Sequence, residues 1–120
     1  MGYSIVVHGG AGAWDASAEP EALAGVREAV DRAVSILLGG GTALEAVTAA
    51  VVALEDNPLF NAGTGSVLNL DGAVEMDAAV MTGHDLACGA VAALKRVRNP
   101  VLVAQRVMQA TPHVLFAGEG

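Results

Sequence analysis

Three hydrophobic rhythms divide the chain. Tyr3 to Val7 is a short β-branched run stopping at Gly9-Gly10, which predicts a buried strand entering a tight turn. From Glu21 to Leu38, Leu23, Val26, Val30, Ala33 and Leu37 recur at helical spacing, with Glu28 and Arg32 four apart on the other side. Pro20 suits the first helical turn, and Gly39-Gly40-Gly41 ends the helix. Thr42 with Glu45 three residues on forms a capping box that opens a second helix, apolar nearly all round from Ala43 to Leu54 and so buried on more than one side. Two helices joined this way predict a helical layer covering a sheet. Asp71-Gly72 between Ser66–Leu70 and Ala73–Val80 predicts a hairpin, and Leu86–Leu94 a third strand in that region. Asn99-Pro100 supplies an N-cap and first position for a third helix reaching about Gln109, and His113–Phe116 a last strand. The fold class is α/β with mixed strands (α+β). The pattern ends at Gly118-Glu119-Gly120 without a closing element, so residues 1–120 are expected to be a single incomplete domain.

Composition sharpens that expectation. Hydrophobic residues are 53% of the chain and fifteen more are glycine, above the ~45–50% usual for such a count; charged residues are 16% against ~25%. This excludes disorder and predicts that another segment covers part of the surface. The net charge of −7 and a basic cluster of only Lys95, Arg96 and Arg98 argue against nucleic acid as a partner. No apolar run is long enough for a membrane span, and the N-terminus lacks the basic region of a signal peptide. The single cysteine, Cys88, fits a reducing compartment. A soluble cytoplasmic chain is expected.

Three segments offer chemistry. His8-Gly9-Gly10-Ala11-Gly12 follows the first strand, and its glycines let backbone N–H groups face a ligand. The lipase-type nucleophile elbow, the dinucleotide fingerprint and the phosphate-binding loop are all missing their defining residues, so a tight turn with His8 packed beneath it is the competing reading. Asn57, Asn61 and the glycines of Leu54–Asp71 let carbonyl oxygens converge as a hard cation requires, and the Asn61 amide can donate to a developing oxyanion; an ordinary helix-to-strand loop competes. Asp71, Glu75 and Asp77 could do acid–base work or hold a metal, Glu75 and Asp77 sharing a strand face, but a solvated strand face or a local backbone cap accounts for them better. His84, Asp85 and His113 lack ligand spacing. Cys88 reads as an inert core thiol and Trp14 as packing for the glycine loop.

Taken together, HGGAGAW, then GGGTALEAVTAAVVALEDNPLFNAGTGSVLNLDGAVEMDAAVM, then GAVAALKRVRNPVLVAQRVM and TPHVLFAGEG closely resemble the plant-type L-asparaginase / isoaspartyl peptidase family, most specifically from Asn57 to Met81. The resemblance implies an N-terminal nucleophile hydrolase, a four-layer αββα sandwich made as a precursor that cleaves itself into α and β chains. The β chain would begin with the nucleophilic Thr, whose free α-amino group is the base. Such an amine, with a pKa near 8, is suited to take the hydroxyl proton near neutral pH. The substrates implied are small molecules, L-asparagine and β-aspartyl dipeptides.

Here Thr42, Thr48, Thr64, Thr82 and Thr111 all lie outside the family's cleavage context, a glycine followed by Thr-Val-Gly. The resemblance therefore makes this chain part of an α subunit whose partner is the β chain, in an (αβ)2 assembly. Asn61 falls on the family's active-site Asn, which orients substrate, water or oxyanion. Leu54, Glu55, Asn57, Phe60, Ala62 and Thr64 fall on the backbone carbonyl donors of a structural sodium ion. Gly9 and Gly10 would lie near the cleavage site. A threonine endopeptidase or glycosylasparaginase of the same superfamily, and a self-sufficient binding module, are the competing functions.

Overall fold

The computed structural model describes residues 2–119. Its elements are α1 (Glu19–Leu38), α2 (Ala43–Asp56), a 3-10 turn (Gly63–Gly65), β1 (Met76–Met81), β2 (Cys88–Leu94), α3 (Pro100–Ala110) and β3 (Leu115–Ala117). Helices and a small sheet thus share one chain, as the α+β reading expects. The sheet order is β1-β2-β3, with β1 antiparallel and β3 parallel to β2, so β2–α3–β3 is a βαβ crossover. No helix of the described residues is long and apolar enough to cross a membrane.

Two clusters hold the layers together. Ala29, Ala33, Ala46, Ala50 and Ala53 let α1 and α2 approach closely, with Ile5, Val7 and Leu54 against them. Val80, Val91, Val101, Ala104 and Val107 join α3 to the sheet, and Leu44, Val51 and Val52 of α2 reach the same cluster. Gly89 makes the α3 contact possible: a Cβ there would overlap the Ala104 carbonyl and lie 2.5 Å from the Met108 nitrogen. The helix that covers the sheet is therefore chiefly α3, not the α1–α2 pair. The buried stripe of α1 also differs from the sequence expectation. It runs through Ala22, Gly25, Ala29 and Ala33, while Leu23 is 49% exposed. Small residues win the inner face because helix spacing, not side-chain size, limits that contact.

Local signals fare best. The capping box of α2 forms: Glu45 N–H donates to Thr42 Oγ1 at 3.2 Å, and Thr42 N–H to Glu45 Oε2 at 2.7 Å. Arg32 and Glu28 pair at 2.6 Å. The Asp71-Gly72 turn closes through Asn69, whose backbone N–H donates to the Ala73 carbonyl. However, Ser66–Leu70 is not a strand; a single Leu68–Val74 bridge is all that pairs there, and the regular strand begins at Met76. Tyr3–Val7 is likewise no strand, because no described segment lies alongside to complete its ladder. Nor is it buried as expected: Ile5 and Val7 are half-buried, but Val6 between them is 92% exposed.

Asn99 does not cap α3 with its side chain. The first-turn N–H of Val101 donates instead to Glu55 Oε1 at 2.9 Å, and Asn99 Nδ2 turns away to Glu55 Oε2 and Asp56 Oδ1 at 3.1 and 3.0 Å. A carboxylate oxygen from the end of α2 thus takes the first-turn N–H that the Asn99 side chain leaves unmet.

Candidate functional site

The glycine loop and the Asn61 loop meet. A cavity of about 560 Å³ is lined by His8 to Trp14 on one side and by Leu54 and Leu59 to Ala62 on the other. These are the two segments singled out from sequence, some fifty positions apart.

The Phe60 ring joins them. It is 3% exposed and meets the Trp14 ring edge-on, centroids 5.8 Å apart. A Cβ at Gly9 would lie 3.0 Å from this ring and 2.9 Å from Val26 Cγ2, and one at Gly25, inside α1, 2.7 Å from both the ring and Asn57 Nδ2. Both positions thus need a residue without a side chain. Gly25 was a legible clue, since a glycine within a helix costs about 1 kcal/mol relative to alanine unless something must come close.

Asn61 stands at the cavity with its side chain oriented by a backbone donor. Val67 N–H donates to Asn61 Oδ1 at 2.9 Å, which fixes which end of the amide is oxygen. The NH2 end is then available as a hydrogen-bond donor to a ligand. Asn57 Oδ1 accepts from Leu59 N–H at 3.0 Å and holds the preceding turn.

The six carbonyls expected to face a cation lie on this same tight curl. Those of Leu54, Asn57, Phe60 and Ala62 each accept one backbone N–H, leaving a lone pair; those of Glu55 and Thr64 accept none from the backbone among the described residues. The curl is so tight that a Cβ at Gly63 would overlap the Glu55 carbonyl, and one at Gly65 the Phe60 carbonyl. Neutral main-chain oxygens are the type of donor a hard cation takes. Among the described residues no cluster of three or more His, Cys, Asp or Glu side chains could hold a metal.

Behind the curl, Glu55 is 2% exposed. Burial raises its carboxyl above the ordinary glutamate range, against the Val101 and Asn99 bonds that lower it. Asp56 is held below the ordinary aspartate range, first by the Arg98 hydrogen bond at 3.0 Å and then by Asn99. The sequence reading missed the Glu55 side chain; its one signal was a carboxylate at the end of a helix otherwise almost wholly apolar.

The remaining candidates take structural roles. Asp77 Oδ1 accepts from Ala93 N–H at 2.8 Å, where the β1–β2 register slips and Ala93 has a positive φ. Glu75 pairs with Lys95 at 3.2 Å. Asp71 is exposed beside the Gly72 turn, and His84 meets Asp85 at 3.4 Å on the surface. His113 packs against Phe116, and Cys88 is a half-buried free thiol. His8 is exposed, not packed beneath the loop: its Nδ1 accepts from Gly10 N–H at 3.0 Å.

Comparison with known proteins matches this sequence to one family. The Asparaginase_2 family, described as asparaginase, matches residues 1–120. A plant-type L-asparaginase of Thermococcus kodakarensis is 58% identical over 118 residues, covering 98% of this chain and 38% of that protein. One from Pyrococcus furiosus is 57% identical with the same coverage. An isoaspartyl peptidase/L-asparaginase of Danio rerio is 50% identical over 116 residues, covering 97% of this chain and 37% of that protein. The chain thus spans less than two fifths of the length of these curated relatives.

Proposed function

The chain belongs to the asparaginase family, and from that premise we propose that it is the N-terminal, α-chain part of a threonine-nucleophile amidohydrolase acting on L-asparagine, β-aspartyl dipeptides or both. The observation that carries this reading is the shared cavity, in which the glycine loop faces an Asn61 amide whose oxygen is already occupied and whose NH2 is available.

The nucleophile comes from the partner chain. Its N-terminal Thr hydroxyl attacks the side-chain carbonyl carbon of the substrate while its own α-amino group takes the proton. The carbonyl oxygen gains negative charge, and the Asn61 NH2 donates to it or holds substrate or water beside it. The nitrogen leaves as ammonia or as the amine of an amino acid, carrying the proton. Water then cleaves the threonyl ester and releases aspartate. Leu54, Glu55, Asn57, Phe60, Ala62 and Thr64 would hold sodium through their carbonyls. The ion would stiffen the loop that carries Asn61 and take no part in bond breaking. Gly9 and Gly10 would flank the cleavage site of the precursor.

The surface supports a missing partner. The chain exposes 7718 Å², against about 6,000 Å² for a compact monomer of its mass. Its smallest extent is 19 Å, about two packed layers. Ala79, Ala90 and Ala92 form a flat sheet face away from α3, half-buried at most. A second sheet laid on that face would give the αββα sandwich, and pairing of two αβ units the (αβ)2 assembly, in the cytoplasm.

The test uses the full-length protein. Two chains on a denaturing gel, the shorter-numbered one ending before a new N-terminal Thr, and aspartate released from asparagine or a β-aspartyl dipeptide are expected. A mature protein that leaves both substrates intact overturns the assignment.

A further inference from the structure

The carboxylate of Glu55 sits between two parts of the molecule that the reaction outlined above does not otherwise connect. Its oxygens take the Val101 N–H at the start of α3 and the Asn99 amide, both in the segment 44–46 residues downstream. Its main chain lies on the other side, against the loop of Asn61. A Cβ at Gly63 would come 2.7 Å from Glu55 Cβ and overlap its carbonyl. Gly63 begins the 3-10 turn whose close is followed by Val67, the residue that orients Asn61. One residue therefore touches α3 with its side chain and the Asn61 loop with its backbone.

We infer that Glu55 is a positioning residue for Asn61, fixing the loop by anchoring it to the N-terminus of α3 through the Glu55–Val101 and Glu55–Asn99 hydrogen bonds. This rests on the proposed role of Asn61. The anchor is specific in its chemistry, because both groups facing the carboxylate are donors. Glutamine is nearly isosteric but offers one oxygen and one NH2. Whichever way its amide turns, one donor faces another donor and a buried bond is lost.

Asp56→Asn is the control. It disturbs a neighbouring carboxylate that also meets Asn99, but its one retained oxygen can still accept that bond.

In the full-length protein, Glu55→Gln is expected to speed amide hydrogen exchange both at the start of α3 and across residues 61–67, while Asp56→Asn leaves 61–67 unchanged. Faster exchange confined to α3, or an equal response of 61–67 to Asp56→Asn, overturns the inference. In the hydrolysis assay, Glu55→Gln is expected to lower kcat by roughly ten- to a hundredfold with KM little changed. In an Asn61→Asp background it should have no further effect, since a residue acting through Asn61 has nothing left to position. Losses that multiply overturn it. Should the wild-type protein hydrolyse neither substrate, the amidohydrolase reading fails and the exchange comparison still decides the anchoring.

Discussion

The two walls of the cavity are built differently. The Asn61 wall is pinned from within: Asn57 and Asn61 side chains, the α2 terminus and successive backbone bonds from Leu54 to Ser66 all hold it. The glycine wall has far less. Gly10 bonds to His8, Asp15 to Ser17, and Ile5 and Val7 lean on the helices, while Tyr3–Val7 lacks a neighbouring strand among the described residues. A loop that satisfies its own polar groups keeps its form; a strand without a ladder takes its final register from whatever pairs with it.

Removing what joins the walls should have the largest effect. Phe60→Ala in the full-length protein is expected to cost about 3–5 kcal/mol of stability, read by denaturant unfolding, because the cavity it leaves lies between α1 and both loops. A cost near zero would mean the walls do not depend on each other. Asn61→Asp keeps the oxygen that Val67 needs and removes the NH2, so kcat is expected to fall about 10²–10³-fold with the melting temperature preserved. If activity survives, the pinned wall serves the fold alone.

Val6 tests the weaker wall. If a partner segment pairs with Tyr3–Val7 in the whole protein, Val6→Lys buries a charge and is expected to cost at least about 2 kcal/mol by the same unfolding assay. A change within about 0.5 kcal/mol would show that Val6 stays in water there as well.

The smallest effect belongs to the α2 cap, remote from both walls. Thr42 holds Glu45 below the ordinary glutamate range, first through its N–H and then through its hydroxyl. A depressed carboxyl stabilises the fold above its unfolded value, and this is lost as pH falls through the folded one. Glu45→Gln should therefore lower the melting temperature by about 1–3 °C at neutral pH, and the gap should close on acidification.

What could be read from sequence follows the same division. The capping box, the Glu28–Arg32 pair and the ends of α1 and α2 depend on residues within four positions, and each forms. Asn99 holds the N-cap position of α3 with Pro100 next, as its sequence predicts, but the acceptor for the Val101 N–H is Glu55, 46 positions away and invisible to a local reading. Tyr3–Val7 reads as a buried strand from its β-branched run, yet Val6 is exposed and no described segment pairs with it, since strand propensity is a property of one segment and pairing of two. Residue chemistry alone left the Asn61 loop open between a ligand site and a plain connection. Its resemblance to a known family gave it a role, and the convergence with the glycine loop into one cavity could not be read from either segment separately.

Phe60 also limits how this protein could be adapted. Trimming that ring to admit a bulkier amide would take away a surface that Gly9 and Gly25 share, leaving them only Val26 and Asn57 respectively among their close neighbours. Extra room is more safely sought at Leu59 or Trp14, which border the same space and are partly in solvent. A directed-evolution library that holds position 60 constant and varies those two should keep far more folded members than one that randomises all three.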